Sequence, residues 1–289
     1  MIIDAHQHVW DLDRAAYPWL GPHVPEWNRT FAFEELVPHL CRNGVDATVM
    51  VQSADNDADT DLMLSVADAH PEVAAIVAYV PLTDPEASAE RLAELRADPR
   101  VVGVRNLIHD QLDPDHVLRP DFDEGLSVLE EADVTFDYVA VLPRHLEHVP
   151  TLVERHPRLR IVIDHLSKPP LGEADREPWW TLIAEAAQGP LVHAKVSGLY
   201  PGAAPGTWTP EMVRPFIERA VDVFGTDRLM YGGDWPISVV AGGYDRVLTG
   251  LLDVLTDLPD NQLEEVLSGT ARRFYRIDDS RLRTGVAFG

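Results

Sequence analysis

The sequence of 289 residues contains one cysteine, Cys41, and two lysines, Lys168 and Lys195. A single cysteine excludes an intrachain disulfide and any CxxC metal or redox motif. No run approaches the roughly 18–20 apolar residues that span a membrane. The opening Met1-Ile2-Ile3-Asp4 lacks the basic-then-apolar pattern of a signal peptide, so the cytoplasm is the expected location. Positive charge is scarce: 24 Lys+Arg stand against 48 Asp+Glu, a formal net charge of −24. That balance excludes nucleic acid as a partner, because phosphate contacts need clustered Lys and Arg. It also disfavours docking on an anionic membrane. There is no GxxxxGK[ST] phosphate loop, no GxSxG nucleophile elbow and no HExxH zinc motif. The first apolar run has no glycine fingerprint after it, which disfavours a dinucleotide-binding open sheet.

What the chain does have is an alternation of short apolar runs with amphipathic segments. The runs are Ile2–Ala5, Ala47–Val51, Val73–Val80, Val101–Val104, Val134–Val141, Leu159–Ile163, Leu191–Val196 and Arg228–Tyr231. Most are rich in Val and Ile and bounded by polar or turn residues, as buried parallel strands are. Helical patterns lie between them, at Phe33–Arg42, Asp59–His70, Pro85–Ala97, Phe122–Glu131, Arg144–Arg155, Glu177–Ala187, Pro210–Phe224, Tyr244–Leu255 and Gln262–Phe274. Thr209-Pro210 reads as an N-cap followed by proline at the first helical position. Eight βα units, each roughly 30 residues, predict an α/β fold: a (β/α)8 TIM barrel. It is expected to be one domain over residues 1–289, with an aromatic-rich first loop and a C-terminal helix.

Active sites of such barrels lie where strands end and βα loops begin. Strand 1 ends Asp4-Ala5-His6-Gln7-His8, and plain alternation places Asp4, His6 and His8 on one face. Two imidazoles one residue apart can share a metal or a substrate anion. Strand 8 ends Gly232-Gly233-Asp234-Trp235-Pro236, and closure of the barrel brings Asp234 beside strand 1. Strand 6 ends Asp164-His165-Leu166-Ser167-Lys168-Pro169, which nominates His165. Arg105, inside a buried run, needs a partner: a substrate carboxylate, a carbonyl, or an internal acid. His109 follows it. Strand 7 places His193, Lys195 and Ser197 on one face, and strand 5 offers Asp137 and Tyr138. Loop 1 carries Trp10, Trp19 and Trp27, suited either to a flat ligand or to packing over the barrel mouth. The two lysines fall in two of these segments, in a chain that otherwise uses 22 Arg. They read as supports of the mouth, Lys195 being the closer to the site.

Five of these segments, taken in order, resemble the amidohydrolase superfamily: Asp4-Ala5-His6-Gln7-His8-Val9-Trp10, Gly103-Val104-Arg105, Asp164 to Pro169, Lys195-Val196-Ser197-Gly198-Leu199, and Gly232 to Pro236. Within it, they are most similar to the amidohydrolase 2 group of TIM-barrel hydrolases, which contains sugar lactonases of the L-fuconolactone and L-rhamnonolactone type. The resemblance implies hydrolysis of a small lactone, with His6, His8, His165 and Asp234 in the active site. It implies Arg105 as a substrate contact, and we extend the expected substrate-binding set to Trp10, His109, Lys195 and Trp235. His6, His8 and Asp234 form the candidate ligand set for one divalent metal, zinc first, in a reaction that the lactonase relatives suggest can be metal-independent. A metal-dependent decarboxylase, or a lactonase of pyrone or muconolactone type, is the alternative.

Overall fold

The computed structural model describes residues 1–200 and 207–282. Eight strands form one sheet in the order β1 to β8: β1 Ile3–Gln7, β2 Ala47–Val51, β3 Val73–Ala78, β4 Val101–Arg105, β5 Thr135–Tyr138, β6 Ile161–Ile163, β7 Val192–Val196 and β8 Leu229–Tyr231. All seven neighbouring pairs are parallel. The ring is completed just beyond β8. There the Asp234 amide donates to His6 O and the His8 amide to Trp235 O, both at 2.7 Å. The expected (β/α)8 TIM barrel is therefore the fold. No helix among the described residues is long and apolar enough to cross a membrane.

The outer layer follows the expected segments closely: α1 Phe33–Asn43, α2 Asp57–Ala69, α3 Pro85–Leu95, α4 Pro120–Ala132, α5 Pro143–Arg155, α6 Trp179–Ala186, α7 Pro210–Phe224 and α8 Tyr244–Leu255. Pro210 does open α7, but the Thr209 hydroxyl makes no capping hydrogen bond. The C-terminal helix is broken into α9 Asp260–Glu264, a π-turn Glu265–Gly269 and α10 Thr270–Phe274.

Side chains sort by strand face. Ile3, Ala5, Val49, Val51, Val77, Val162 and Met230 form a small-residue cluster inside the barrel, closed at one end by Phe274 and Tyr275 of the C-terminal segment. Met50, Ile76, Val104, Phe136 and Ile163 pack in the larger cluster beneath the helices.

One strand departs from simple alternation. In β1 the pairing runs Ile3 to Ala47, Asp4 to Thr48, then Gln7 to Met50, so one extra residue is accommodated on the β1 side. Such a bulge turns the residues beyond it to the opposite face. The expectation that Asp4 shares a face with His6 and His8 is corrected here. Asp4 accepts from the hydroxyl of Tyr244 on α8 at 2.9 Å, whereas His6 meets residues of the barrel interior.

Loop 1 folds back on itself through an antiparallel bridge between Trp10 and Phe31. The Trp10 indole donates to Arg29 O at 2.6 Å and the Trp19 indole to Ser53 O at 2.8 Å. These bonds hold the loop down over the strand ends.

Candidate active site

The bulge in β1 aims His6 and His8 at the same point. His8 Nδ1 lies 2.7 Å from Val51 O. A carbonyl only accepts, so Nδ1 carries a proton and Nε2 is the ring nitrogen left facing the site. That Nε2 is 3.1 Å from His6 Nε2. Asp234 Oδ1 lies 3.6 Å from His8 Nε2 and 3.9 Å from His6 Nε2. Asp234 is 1% exposed, and among the described residues neither of its carboxylate oxygens has a hydrogen-bond partner. Arg105 Nη1 approaches His6 Nε2 only to 3.4 Å. Buried acceptors that converge in this way fit a divalent cation. Tetrahedral zinc takes His nitrogen and carboxylate oxygen at about 2.0–2.2 Å, which spaces the donor atoms by roughly 3.3 Å. His6, Asp164 and His165 also cluster, but Asp164 and His165 are already engaged by protein partners, which makes the first set the better fit.

Beneath His6 is a buried charged platform. His6 Nδ1 lies 3.2 Å from Asp164 Oδ1 and 3.0 Å from Lys195 Nζ. Lys195 donates to Asp137 Oδ2 at 2.5 Å and stands 3.1 Å from Asp164 Oδ1. Arg105 donates to Asp164 Oδ2 at 3.0 Å and to Gln52 O at 2.5 Å. Tyr275 completes the set by donating to Asp137 at 2.6 Å. Burial alone would push the Asp164 carboxyl up, but Lys195, His6 and Arg105 outweigh it and hold it well below the usual range. Burial pushes Asp137 up to about 6 against the opposing pull of Lys195. Burial, with Lys195 beside it, holds His6 well below the usual imidazole range, so the ring is neutral. Neutral imidazole with a carboxylate behind it is the form that ligates metals.

His165 reaches the site by an unusual backbone. Four consecutive residues, His165, Leu166, Ser167 and Lys168, have φ of 56°, 49°, 57° and 47°. Left-handed L-residues cost on the order of 1–2 kcal/mol each and persist only where the surroundings impose them. This turn lays the His165 ring 4.5 Å from the His6 ring and its Nδ1 2.9 Å from Ser197 Oγ. The next residue, Gly198, has φ +57°, and a Cβ there would lie 2.2 Å from His165 Nδ1 and 2.7 Å from Asp234 Oδ2. Gly198→Ala is therefore expected to displace both side chains. A displacement of about 1 Å can lower turnover roughly 100-fold. Steady-state kinetics beside a thermal melt checks this, and unchanged turnover would show that the contact is not needed.

A cavity of about 240 Å³ opens above these groups. Trp10, Trp19 and Trp27 line it from loop 1, Arg105, His109 and Lys168 from the ends of β4 and β6, and His8, His165 and Asp234 from the floor. Two expected substrate contacts are not in this lining. Lys195 is fully buried under His6, its ammonium enclosed by carboxylates. Trp235 is buried with its ring 5.7 Å from Phe31. Conversely, Lys168, read from the sequence as a support, lines the cavity. Sequence reasoning missed Tyr275 as a neighbour of the site, and it named Asp164 and Asp137 at strand ends without giving them a role there. For the two aspartates the signal was available, since each ends a buried run that has to find its charge a partner.

Comparison with known proteins agrees with this picture. The chain matches the "Amidohydrolase" family over residues 3–277. It is 37% identical to an L-fucono-1,5-lactonase of Burkholderia ambifaria and 32% identical to another of Burkholderia multivorans, with 96% of this chain and of each relative covered. A crystal structure of an amidohydrolase from Burkholderia multivorans with bound zinc superimposes with a TM-score of 0.86 at 30% identity, covering 96% of this chain and 100% of the other. The chain belongs to the amidohydrolase family.

Proposed function

We propose that the protein hydrolyses a small lactone, of the sugar aldonolactone class to which L-fucono-1,5-lactone belongs. The observation that carries this reading is the buried Asp234 carboxylate, without a hydrogen-bond partner among the described residues, set beside His6 and His8 on the floor of an aromatic-walled cavity. The 37% identity to an L-fucono-1,5-lactonase over nearly the whole chain supports the substrate class.

In this reading the tryptophans flank the sugar ring and leave its ester carbonyl over the floor. Asp234 takes a proton from water as the water oxygen bonds to the carbonyl carbon. Arg105, His6 and His8 face the developing oxyanion, and His165 orients the carbonyl or the water. The bond from carbonyl carbon to ring oxygen then breaks. The proton held by Asp234 passes to that oxygen, leaving a hydroxy acid. His6 Nε2, His8 Nε2 and Asp234 Oδ1 would hold a divalent metal, whose contribution when bound is Lewis-acid polarisation of the carbonyl.

The test is a pH-indicator screen of aldonolactones combined with elemental analysis of the same sample. Proton release is expected on L-fucono-1,5-lactone and close stereochemical relatives. Spontaneous rates across the whole panel would overturn the reading. Zinc is expected at about one per chain, and His8→Ala is expected to lose most of it. A His8→Ala protein that keeps its zinc would exclude this ligand set.

A further inference from the structure

The left-handed turn does more than place His165. A turn of three residues per repeat brings positions i and i+3 to the same side. His165 and Lys168 stand in that relation, and both line the cavity. Lys168 Nζ donates to Gly198 O at 2.8 Å. An ammonium has three donors, and among the described residues no other hydrogen bond is made by this one. The Gly198 unit that holds it also adjoins the free Asp234 Oδ2, which an added Cβ would approach to 2.7 Å. Arg105, the other cation of the cavity, has Nη1 tied to Asp164 and Nη2 to Gln52 O, which leaves only its buried Nε without a partner among the described residues. Lys168 thus keeps two of its three donors free among the described residues, in the wall of the cavity that also holds the Asp234 carboxylate. The residue type fits the place: a compact ammonium on a flexible stem suits a crowded point better than a planar guanidinium does.

We propose that Lys168 is the substrate-contacting cation that binds the ester oxygen on which charge develops and then the carboxylate of the opened product. This rests on the lactonase reading given above, and it moves the main oxyanion contact from Arg105 to Lys168. The turn's strained backbone is then the means of delivering an orienting imidazole and a charge from one short segment.

Trp10, Trp19 and Trp27 line the same cavity and make tryptophan fluorescence the natural readout. The aldonate of L-fucono-1,5-lactone is titrated against the uncharged alditol of the same skeleton, in wild type, Lys168→Met and Lys168→Arg. Loss of a hydrogen bond to a charged group weakens binding about 10- to 100-fold. Lys168→Met is expected to weaken the aldonate by that factor, to leave the alditol within about twofold, and to lower lactone kcat in parallel. Lys168→Arg is expected to recover part of the aldonate affinity. Equal loss for aldonate and alditol would mark Lys168 as merely structural and overturn the proposal. So would a Lys168→Met protein that matches wild type in aldonate affinity and kcat, with the lactonase reading left standing. If wild type opens no lactone yet binds the aldonate through Lys168, the lactonase reading fails and the anion contact is upheld.

Discussion

Asp234→Asn lowers lactone turnover by about 10²–10⁴-fold, the range expected when a general base is removed, and leaves the fold intact. The argument is geometric. Asp234 leaves β8 through a left-handed residue, φ 48°, and its amide is anchored to His6 O at 2.7 Å. Neither step involves the side chain. Among the described residues both carboxylate oxygens are buried without a hydrogen-bond partner, so the charge is not serving the fold. An unpaired buried carboxylate is a cost to stability, and asparagine of the same shape removes it. In the metal-free protein, activity and stability should therefore move in opposite directions, the mark of a group kept for function. Initial rates on L-fucono-1,5-lactone and a urea melt of the same preparation decide it. Near-wild-type turnover would remove Asp234 from the role of base.

Lys195→Met is expected to be the most damaging change for stability, lowering the unfolding free energy by about 3–5 kcal/mol. Lys195 is fully buried, and its ammonium is shared by Asp137 at 2.5 Å and Asp164 at 3.1 Å. Removing it leaves two buried carboxylates with Tyr275, Arg105 and the neutral His6 ring to compensate them. Against a typical total of about 5–15 kcal/mol, such a loss is large. Adding Asp137→Asn to Lys195→Met should recover part of it, because the second change removes one of the stranded charges. Urea unfolding of the two single variants and the double variant gives the coupling. Strict additivity would mean that the lysine and the aspartate do not interact energetically.

The contrast between these two variants shows what could be read from the sequence. Eight βα units were legible because short continuous apolar runs and 3.6-residue patterns alternate along the chain, and the helix bounds moved by only a few residues. His6, His8, His165 and Asp234 were legible because each stands at a strand end, where the fold puts chemistry. Trp10 and His109 also fell where expected, in the cavity wall. Lys195 and Trp235 did not, since spacing along a strand gives the face of a residue but not its depth. Lys195 sits one layer too low, and the Trp235 ring turns toward Phe31. The place of Lys168 in the cavity wall was not legible for a related reason. Its position depends on four left-handed residues in succession, a conformation that Leu166 and Ser167 give no sign of adopting. Asp4 was assigned to the wrong face because a bulge leaves no trace in a pattern of alternation.

That bulge has a consequence for how one short strand meets two demands. A strand of constant parity presents the same set of positions to the barrel axis along its whole length. It must be greasy at the floor and polar at the rim on that one set. β1 changes phase midway: odd-numbered Ile3 and Ala5 seal the floor, and even-numbered His6 and His8 face the rim. The displaced Asp4 becomes a bolt into the outer shell, held by the Gly233 amide at 2.8 Å and by Tyr244. The imidazole pair is thereby indexed to the helical jacket as well as to the sheet. A drift of α8 would be felt at the reaction centre as a change of alignment.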